Sequence, residues 1–542
     1  MKKIISLLLA LAVMFSLSLT GTAAFAAEIK YSDIVIGDSE LSETGENAAS
    51  DNAKVIQAAF DEAKNKASDK NRYRIYFPKG EYHINTTLNI FSNTELYLDK
   101  KTTLVQDAPK GQNIVKAGDF SQKHILYNGF RNIKIDGGKW DMQFNGSCAM
   151  RFGHCTNLSI SNVHITNIKD AHHIEAAAVD TLSITDCTFE KTLRYTGNSC
   201  EAIQLDILHD SKHFPGFEEF DDTPNKNVTI SGCTFSNLYS GIGTRSAVVS
   251  KYFDNVVIEN NKFENIQEKA ISCFNYKNSK IINNTFTNVN SGICFEYLPN
   301  NFFGAYFQRM YIANDKSIGK INTKSSTVIS GNVMNIKQMA ESSYGIYAYG
   351  AKVDALTAKA NGVVAGDYTI SDLSIDNNTI NVEENSPKSY GIYITGVNKS
   401  EISSNTLTDY SSAKDGINGI NICASKKNVI KNNNISAGKS PLCLYSQNYS
   451  QNVPTPSVKS KGYSLRNKPL IRFSSLNGSA GYKVSRSAYN GTFKEIATVY
   501  GQNLNFEDKS STAFSKNYYR VTPIYNVGGT IVTGKNYIDI AF

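Results

Sequence analysis

Hydrophobic and polar positions repeat along most of the chain in short phrases of one layout. Each phrase opens with asparagine or another polar residue, continues with alternating aliphatic positions, and closes after a polar turn on an aromatic or aliphatic residue, as in NVTISGCTF from Asn227. The phrases are anchored on Ile160, Ile184, Ile230, Ile258, Ile281, Ile329, Ile375, Ile402 and Ile430. Their separations of about 23 to 28 residues, or near twice that, are typical of stacked structural repeats.

The layout of the phrases predicts that the repeats are built from strands. Alternation such as V-T-I and C-T-F sends every second side chain inward. Asparagine and glycine at the bends can adopt the left-handed conformations of tight corners, and stacked side-chain amides can hydrogen-bond from coil to coil. No stretch inside the repeats has apolar residues three and four apart over about ten positions, as a helical solenoid needs. We therefore expect an all-β fold, a parallel β-helix solenoid over residues 131–445.

An amphipathic segment precedes the repeats and predicts a helix over residues 46–66, with Ser50 or Asp51 as the N-cap. Its apolar residues at helical spacing are Val55, Ile56, Ala59, Phe60 and Ala63. Such a helix would cover the open N-terminal end of the solenoid, which otherwise exposes apolar side chains and unpaired strand edges. Residues 27–130 are thus predicted to form this N-terminal cap and the first strands.

The C-terminal end has a different pattern. Residues 446–461 are a linker rich in Ser, Pro and Asn, and residues 462–542 alternate strands with turn signals, which favours a small β-sandwich. The progression GYKVSRS, GTFKEIATV and YYRVTPI in this segment resembles the fibronectin type III modules of secreted bacterial enzymes. That resemblance implies a spacer or an attachment aid rather than a catalytic domain.

The first residues and the charge bear on location and partners. Residues 1–26 are predicted to be a signal peptide. They have two lysines near the N-terminus, an apolar stretch and a possible signal peptidase site at Ala24-Phe25-Ala26, so a secreted, extracellular protein is expected. No later apolar run has membrane-spanning length, so no membrane insertion is expected. The formal net charge of +7 is compatible with an acidic polysaccharide, and the dispersed lysines argue against nucleic acid. A monomer is expected.

Cysteine spacing favours packing in the coil over a disulfide framework. The chain has nine cysteines, and Cys187 and Cys233 occupy the same place in successive phrases. No CxxC pair suggests zinc. We expect buried free thiols.

Two stretches resemble a known superfamily. SDNAKVIQAAFDEAKNK followed by YRIYFPKGEYHINTTLNIFSNTELYLDKKTTLV looks like the opening of the pectate lyase-like superfamily, and NIKIDGGKWD from Asn132 is similar to a coil of its polygalacturonase-like branch. The resemblance implies a right-handed parallel β-helix with an N-terminal capping helix. The superfamily includes glycoside hydrolases, polysaccharide lyases, epimerases and phage tailspikes. The polygalacturonase motifs N-T-D, D-D-C, G-H-G and R-I-K are absent, so no catalytic residue carries over.

A second set of strand phrases locates a candidate site. We align them on Met150, Ile174, Ile203, Ile242, Ile271 and Ile293 as inward residues, with Phe152, Ala176, Leu205, Thr244, Cys273 and Phe295 as the second inward column. The residues that should then face solvent are Arg151, His173, Glu175, Gln204, Asp206, Arg245 and Glu296, followed on later coils by Tyr347, Tyr349, Tyr393, Thr395 and Asn421. Glu175 and Asp206 should lie about 8 Å apart, which suits an acid and a base working across a bond with a water between them. The alternative is a solvated face with cross-coil ion pairs worth under about 1 kcal/mol.

Two long insertions lie beside this face. The segment after Asp206 carries His209, Lys212, Asp221 and Asp222 among several aromatics, and it is predicted to form one wall of a substrate cleft. The insertion from Leu298 carries Phe302, Phe303, Tyr306, Phe307 and Tyr311, whose rings could stack on sugars, although an amphipathic turn packed on the solenoid fits the spacing nearly as well.

These residues predict a secreted enzyme that cleaves a polysaccharide, with glycoside hydrolysis by paired carboxylates preferred. The predicted catalytic residues are Asp206, Glu175, His173, Arg245 and Asp222, and the predicted substrate-binding residues are Arg151, Gln204, His209, Lys212, Glu296 and Tyr306.

One alternative is a lyase acting by β-elimination on a uronate, with Arg245 or Lys212 as the base and calcium on Asp221, Asp222 and Glu218. The acidic run lacks the D-x-D-x-D-G spacing of a calcium loop, so neither a metal site nor a cofactor is predicted. The other alternative is a noncatalytic glycan-binding or surface protein.

Overall fold

The structure is a computed structural model of the 542-residue chain. It describes residues 28–119, 123–195, 200–297, 310–337, 339–340, 342–356, 358, 364–383, 389–409, 418–436, 440–444, 456–474, 481–488, 491–500, 505–514, 516–527, 530–533 and 537–542. The predicted signal peptide and Tyr306 lie outside these residues.

One helix and many short strands make up the described chain. The helix is α1 (Ala48–Lys66). The strands up to the first full coil are β1 (Lys30–Val35), β2 (Asn71–Phe77), β3 (Gly80–Ile84), β4 (Leu88–Ile90), β5 (Thr94–Gln106), β6 (Val115–Ala117) and β7 (Phe130–Asp141). Those of the coil are β8 (Met150–Ser161), β9 (His164–Lys169), β10 (Ile174–Thr185), β11 (Thr188–Leu193), β12 (Glu201–Asp206), β13 (Lys226–Ser231), β14 (Thr234–Leu238), β15 (Ser240–Gly243), β16 (Ala247–Val248), β17 (Phe253–Glu259), β18 (Lys262–Phe274), β19 (Tyr276–Lys277), β20 (Lys280–Ile282), β21 (Thr285–Glu296), β22 (Met310–Tyr311), β23 (Lys324–Ser330), β24 (Val333–Ile336), β25 (Ser343–Tyr349), β26 (Lys352–Val353), β27 (Gly366–Asp367), β28 (Ile370–Asp376), β29 (Thr379–Val382), β30 (Ser389–Thr395), β31 (Val397–Asn398), β32 (Glu401–Ser403), β33 (Thr406–Asp409), β34 (Asn418–Cys423), β35 (Val429–Lys431), β36 (Asn434–Ser436) and β37 (Ser440–Leu444).

Parallel pairing between successive coils confirms the predicted β-helix. The anchor isoleucines pair in register, Ile160 with Ile184, Ile184 with Ile230 and so on along the coil, in a sheet that we call the anchor wall. A second parallel sheet follows each turn and includes β9, β11, β14, β24, β29 and β33. A third sheet, the site wall, contains β12, β15, β25, β30 and β34 together with one end of β8, β10, β18 and β21.

Side-chain ladders run along the axis of the coil. Phe189, Phe235, Phe263 and Phe286 stack with ring centroids 5.0, 4.6 and 4.9 Å apart. A buried asparagine ladder also climbs the coil, each Nδ2 donating to the next Oδ1 over 2.9–3.0 Å. Its members are Asn261, Asn284, Asn332, Asn378, Asn405 and Asn433. The ladder satisfies amides that burial would otherwise leave unpaired, and it confirms the predicted bonding from coil to coil.

The capping helix is confirmed, but its predicted N-cap is wrong. Helix α1 buries Ile56, Phe60 and Ala63 against the core of the coil. The N-cap is Asn47, which makes no side-chain capping bond, rather than Ser50 or Asp51. The helix therefore begins three or four residues before the positions that capping preferences alone suggested. Among the residues described, no helix has the length and hydropathy to cross a bilayer.

The cysteines pack as predicted. Every cysteine whose side chain the structure describes is a free thiol, and all of them are buried except half-buried Cys423. Cys187 lies directly below Cys233 on the next coil, with its backbone amide 3.5 Å from Cys233 Sγ.

The C-terminal strands form two antiparallel sheets around a core of their own. The strands are β38 (Val458–Tyr463), β39 (Pro469–Phe473), β40 (Gly481–Ser487), β41 (Lys494–Tyr500), β42 (Asn505–Glu507), β43 (Tyr518–Val527), β44 (Thr530–Thr533) and β45 (Ile538–Ala541). β38, β39 and β42 make one sheet, and β40, β41, β43, β44 and β45 pair in the other. Strand β38 begins inside the segment assigned to the linker. The likeness to fibronectin type III modules stays a prediction.

Candidate functional site

The register of the site wall follows the alignment made from the sequence. Met150, Ile174, Ile203, Ile242 and Ile271 pair in one column, and Ile293 continues it. The second inward column is also fully buried. Arg151, Glu175 and Gln204 therefore follow one another on three successive coils, and Asp206 lies on the diagonal from Glu175 because its register partner is Ala177.

These polar residues do not face solvent, which corrects the prediction. The exposed fraction is 2% for Glu175, 1% for Gln204, 0% for Asp206 and 3% for Glu296. The inserted segment after Asp206 folds back over the part of the wall that holds Glu175 and Asp206. The outward direction of the side chains was predicted correctly, but a second layer of protein lies above them.

The Glu175 carboxylate forms an ion pair with Arg151 of the preceding coil. Arg151 Nε donates to Glu175 Oε2 over 2.5 Å, and the Cys148 thiol lies 3.4 Å from the same oxygen. Burial raises the pKa of Cys148 to about 12, with the Glu175 charge adding to the effect, so this thiol stays protonated at neutral pH. The Glu175 carboxylate is thus occupied by partners of its own protein.

Asp206 is held by three donors. Its Oδ1 accepts from the backbone amides of Ile207 (2.9 Å) and Ser246 (3.0 Å), and its Oδ2 accepts from Gln204 Nε2 (2.8 Å). Burial raises the pKa of Asp206 to about 6, because the cost of desolvating the carboxylate outweighs the backbone hydrogen bonds that favour it, and the charge of Glu175 raises the pKa further.

Residues 207–225, which we call the covering loop, form the layer above this part of the wall. Leu208 and Phe214 are fully buried against Ala177 and Ala178, and Phe217 packs beside them. The wall accepts these rings because it carries small residues there.

Gly153 shows how close the covering loop lies. A Cβ at this glycine would lie 2.8–3.0 Å from the Phe217 ring. The loop is tied at its tip as well, since Lys116 Nζ donates to the Gly216 carbonyl (2.9 Å) and Arg151 Nη1 to the Pro215 carbonyl (3.2 Å). The covering loop, which was predicted to flank a cleft, therefore packs directly over the part of the wall that holds Glu175 and Asp206.

His173 is also misplaced by the prediction. Its side chain is 0% exposed, its Nε2 lies 3.0 Å from the Glu190 carbonyl, and its ring meets Phe189 of the aromatic ladder edge-on at 5.8 Å. Strand β10 begins at Ile174, so the alternation does not extend to His173, and the corner turns this ring into the coil. Burial lowers the pKa of His173 to about 3. A neutral, enclosed imidazole of this kind cannot reach a saccharide.

His209 and Asp222 meet at the two ends of the covering loop. His209 Nδ1 lies 2.5 Å from Asp222 Oδ1, and Asp222 Oδ2 accepts from the backbone amide of Asn314 over 2.5 Å. Asn314 Nδ2 donates to the carbonyls of His209 and Phe220 over 2.7 and 2.8 Å. This pair fastens the loop to the segment after β22 and leaves no free Asp222 oxygen for substrate.

The other predicted residues are dispersed. Lys212 is exposed on the covering loop, and half-buried Arg245 lies close enough to His213 that its charge contributes, after burial, to lowering the pKa of His213. Glu296 lies 3.9 Å from Lys269 on a later coil. Among the described residues, no group of three or more His, Cys, Asp or Glu is arranged to hold a metal.

The C-terminal half of the site wall carries a cluster of half-buried tyrosines. Tyr344 stacks on Tyr390 at 5.4 Å with an interplanar angle of 9°, and Tyr347 stacks on Tyr393 at 5.8 Å and 26°. Tyr344 meets Tyr347, and Tyr390 meets Tyr393, each at 5.0 Å. We call these four residues the tyrosine cluster. Each retains partial exposure, whereas Tyr349 beside them is buried in a hydrophobic cluster that includes Val353 and Tyr368.

Sequence reasoning placed Tyr347 and Tyr393 on this face but missed Tyr344 and Tyr390. The repeated phrase SYGIY was the available signal, because it sets a tyrosine three residues before each of the predicted ones. Burial raises the pKa of Tyr393 above its ordinary value, so its hydroxyl stays protonated at neutral pH. The cluster offers neutral rings with hydroxyl groups at their edges.

Two family models match the chain. The model described as Rhamnogalacturonase A/epimerase, pectate lyase-like, matches residues 44–252, and the model described as right handed beta helix region matches residues 220–369. Together they support the pectate lyase-like superfamily and the right-handed coil that the sequence resemblance implied.

A curated relative and two solved structures are similar to the chain. Plasmin and fibronectin-binding protein A of Streptococcus pneumoniae (strain ATCC BAA-255 / R6) is 26% identical over 321 residues, 53% of this chain and 43% of that protein. The chain thus matches less than half the length of this relative. The crystal structure of PfbA, a surface adhesin of Streptococcus pneumoniae, has a TM-score of 0.52 at 18% identity, covering 86% of this chain and 100% of that chain. Another structure of this surface protein and adhesin gives 0.53 at 21% identity, covering 74% and 97%. At these identities the likeness concerns the fold alone.

Proposed function

We propose that this chain, a right-handed β-helix of the pectate lyase-like superfamily, is an extracellular protein that binds a glycan at the tyrosine cluster without cleaving it. The observation that carries the proposal is the contrast along one wall of the coil. The carboxylates expected to catalyse are enclosed and hydrogen-bonded within the protein, while the aromatic rings four to six coils further on remain accessible.

Hydrolysis needs two carboxyl groups that can reach a glycosidic bond from opposite sides. Glu175 is engaged by Arg151, and Asp206 by Gln204 and two backbone amides. The covering loop packs aromatic side chains over this part of the wall. Substrate would have to displace a packed hydrophobic cluster before meeting either group, which disfavours catalysis there.

The tyrosine cluster has the chemistry for a saccharide. Sugar rings present C–H faces that pack on aromatic faces, while hydroxyl groups satisfy phenolic oxygens at the ring edge. Two stacked pairs on successive coils offer an extended surface, which suits a chain of sugars.

The extracellular location is supported by the predicted signal peptide and by the relatives. The relative from Streptococcus pneumoniae is named for binding plasmin and fibronectin, and one solved structure similar to the chain is that of a surface adhesin. A role in binding at a cell surface is therefore part of the proposal.

Affinity electrophoresis against plant, algal and host glycans tests the proposal. We expect at least one glycan to retard the protein, and the double substitution Tyr347→Ala and Tyr393→Ala to weaken that binding about tenfold or more. The double Tyr→Phe variant keeps both rings and should bind, and Tyr500→Ala, at a 58% exposed tyrosine of the C-terminal sheets, should bind as the parent does. Circular dichroism verifies that each variant is folded. Binding that survives loss of both rings in a folded protein would refute the assignment.

A second candidate function, glycoside hydrolysis, is favoured by one observation. The pKa of Asp206 is raised to about 6, as for a general acid, and the family model over this region is described for a rhamnogalacturonase and an epimerase. Release of reducing ends by the wild-type protein, abolished by Asp206→Asn, would establish hydrolysis in place of the noncatalytic proposal.

A further inference from the structure

A pocket of about 580 Å³ with a mixed polar and apolar lining opens on the anchor wall, where β23, β28, β32 and β35 follow one another on four coils. This volume lies within the range of ordinary small-ligand sites. The pocket is on a different wall from the tyrosine cluster. None of the residues in the predicted site lines it.

Two lysines occupy equivalent places on neighbouring coils at the pocket. Glu401 pairs in register with Val429, so Lys399 and Lys427, each two residues earlier, lie one coil apart, about 4.8 Å along the axis. Both are exposed, and each has a positive φ, 48° and 59°, at the corner that precedes the strand. Neither forms an ion pair with another of the described residues.

The acidic residues of the pocket are already paired. Asp372 Oδ2 lies 3.4 Å from Lys324 Nζ and accepts from Ser326 Oγ over 2.8 Å. Glu401 Oε1 lies 3.0 Å from Lys431 Nζ and accepts from Ser403 Oγ over 2.7 Å. The unbalanced charge in the pocket therefore belongs to Lys399 and Lys427.

Like charges on adjacent coils repel, and an anion between them removes that penalty while gaining charge-assisted hydrogen bonds. Around the lysines the pocket has serine and threonine hydroxyls and the 38% exposed side chain of Val429. These hydroxyls donate hydrogen bonds within the protein, so their oxygens can accept bonds from a ligand. Acceptor oxygens, a small apolar surface and two ammonium groups match a sugar that carries an acidic group.

We propose that this pocket binds an anionic oligosaccharide, with its carboxylate or sulfate held between Lys399 and Lys427. The inference rests on the proposed function only in the class of ligand, a glycan. The pocket and the residues that would bind the ligand there are separate from the tyrosine cluster. A neutral oligosaccharide lacks the group that the two ammonium ions hold, so the pocket should discriminate against it.

Isothermal titration calorimetry of the secreted chain tests the pocket with three probes: tetragalacturonate, a sulfated heparin tetrasaccharide and neutral maltotetraose. We expect one or both acidic probes to bind, with an affinity that falls as salt rises. The double variant Lys399→Gln and Lys427→Gln should weaken that binding roughly tenfold or more, since two charge-assisted contacts are lost. The matched control, Lys110→Gln with Lys262→Gln, removes two exposed lysines elsewhere on the coil and should bind like the wild type.

The outcomes separate this inference from the proposed function. Loss of acidic-probe binding in the pocket variant, with retention in the Tyr347→Ala and Tyr393→Ala variant, supports a distinct pocket. Loss only in the tyrosine variant overturns the pocket but leaves the proposed function standing. Equal binding of maltotetraose, no binding of either acidic probe, or unchanged binding in the lysine variant also overturns it. A preference between the two acidic probes identifies the anion.

Discussion

Replacing Asp206 by Asn should stabilise the protein at alkaline pH. The carboxyl is 0% exposed, and its pKa is raised to about 6 from an ordinary value of 3.8. A raised carboxyl pKa means that the folded state disfavours the charged form. The contribution of Asp206 to the free energy of unfolding is therefore fully present below pH 3.8 and is lost as the pH rises through 6. The total loss is about 3 kcal/mol.

The structure indicates that an amide fits in place of the carboxylate. The side-chain oxygen can keep both bonds from the backbone amides of Ile207 and Ser246. The new NH₂ group would face Gln204, whose buried Oε1 has no hydrogen-bond partner. Reversal of the Gln204 amide would let that oxygen accept the new bond, so the substitution leaves no additional buried polar atom unpaired.

Denaturant unfolding at pH 4 and pH 8, followed by far-ultraviolet circular dichroism, measures the effect. We expect the free energy of unfolding of Asp206→Asn, relative to wild type, to increase by about 2–3 kcal/mol from pH 4 to pH 8, with an unchanged denaturant slope. Asp33→Asn, at an exposed carboxyl, is the matched control and should show no comparable change. A difference that is independent of pH, or a variant less stable than wild type at pH 8, would refute the reasoning about Asp206.

Other substitutions test the packing. Arg151→Ala should lower the unfolding free energy by about 3–5 kcal/mol, because it leaves Glu175 buried without its partner. The double variant Arg151→Met with Glu175→Leu should recover most of the loss. If the double variant is destabilised as much as the single variant, the ion-pair argument is contradicted. Asn332→Ala interrupts the buried amide ladder and should cost about 2–4 kcal/mol in denaturant unfolding, so a loss under about 1 kcal/mol would show that the ladder contributes little. Gly153→Val should drive Phe217 out and expose the covering loop to limited proteolysis while the coil stays folded by circular dichroism, and a loop that remains protected would contradict the close contact.

The fold could be predicted because its information is local and repeated. Each anchor isoleucine has the same neighbours in sequence, and a period-two pattern fixes which side chains enter the core. The same rule gave the register of the site wall, including the placement of Glu175 one coil above Arg151. It failed at His173, which precedes the first strand residue and turns into the core.

The candidate site was harder to predict because its environment is set by contacts distant in sequence. Alternation says that Asp206 points out of the coil, but not that Phe214 and Phe217 return to cover that face. The small residues Gly153 and Ala177 in an outward column were the signal, since bare backbone on a sheet face invites another segment to pack there. Once that layer is in place, a row that resembled a catalytic groove becomes an interior polar network.

The most direct test of the central claim follows one glycan through binding and recovery. The wild-type protein is incubated with the glycan that retards it most, bound material is quantified, and the recovered glycan is analysed by mass spectrometry for shortened or unsaturated products. We predict saturable binding that the Tyr347→Ala and Tyr393→Ala variant loses and Asp206→Asn retains, with the glycan recovered at its original mass. Shortened or unsaturated products that form with the wild-type protein and disappear with Asp206→Asn would contradict the noncatalytic account.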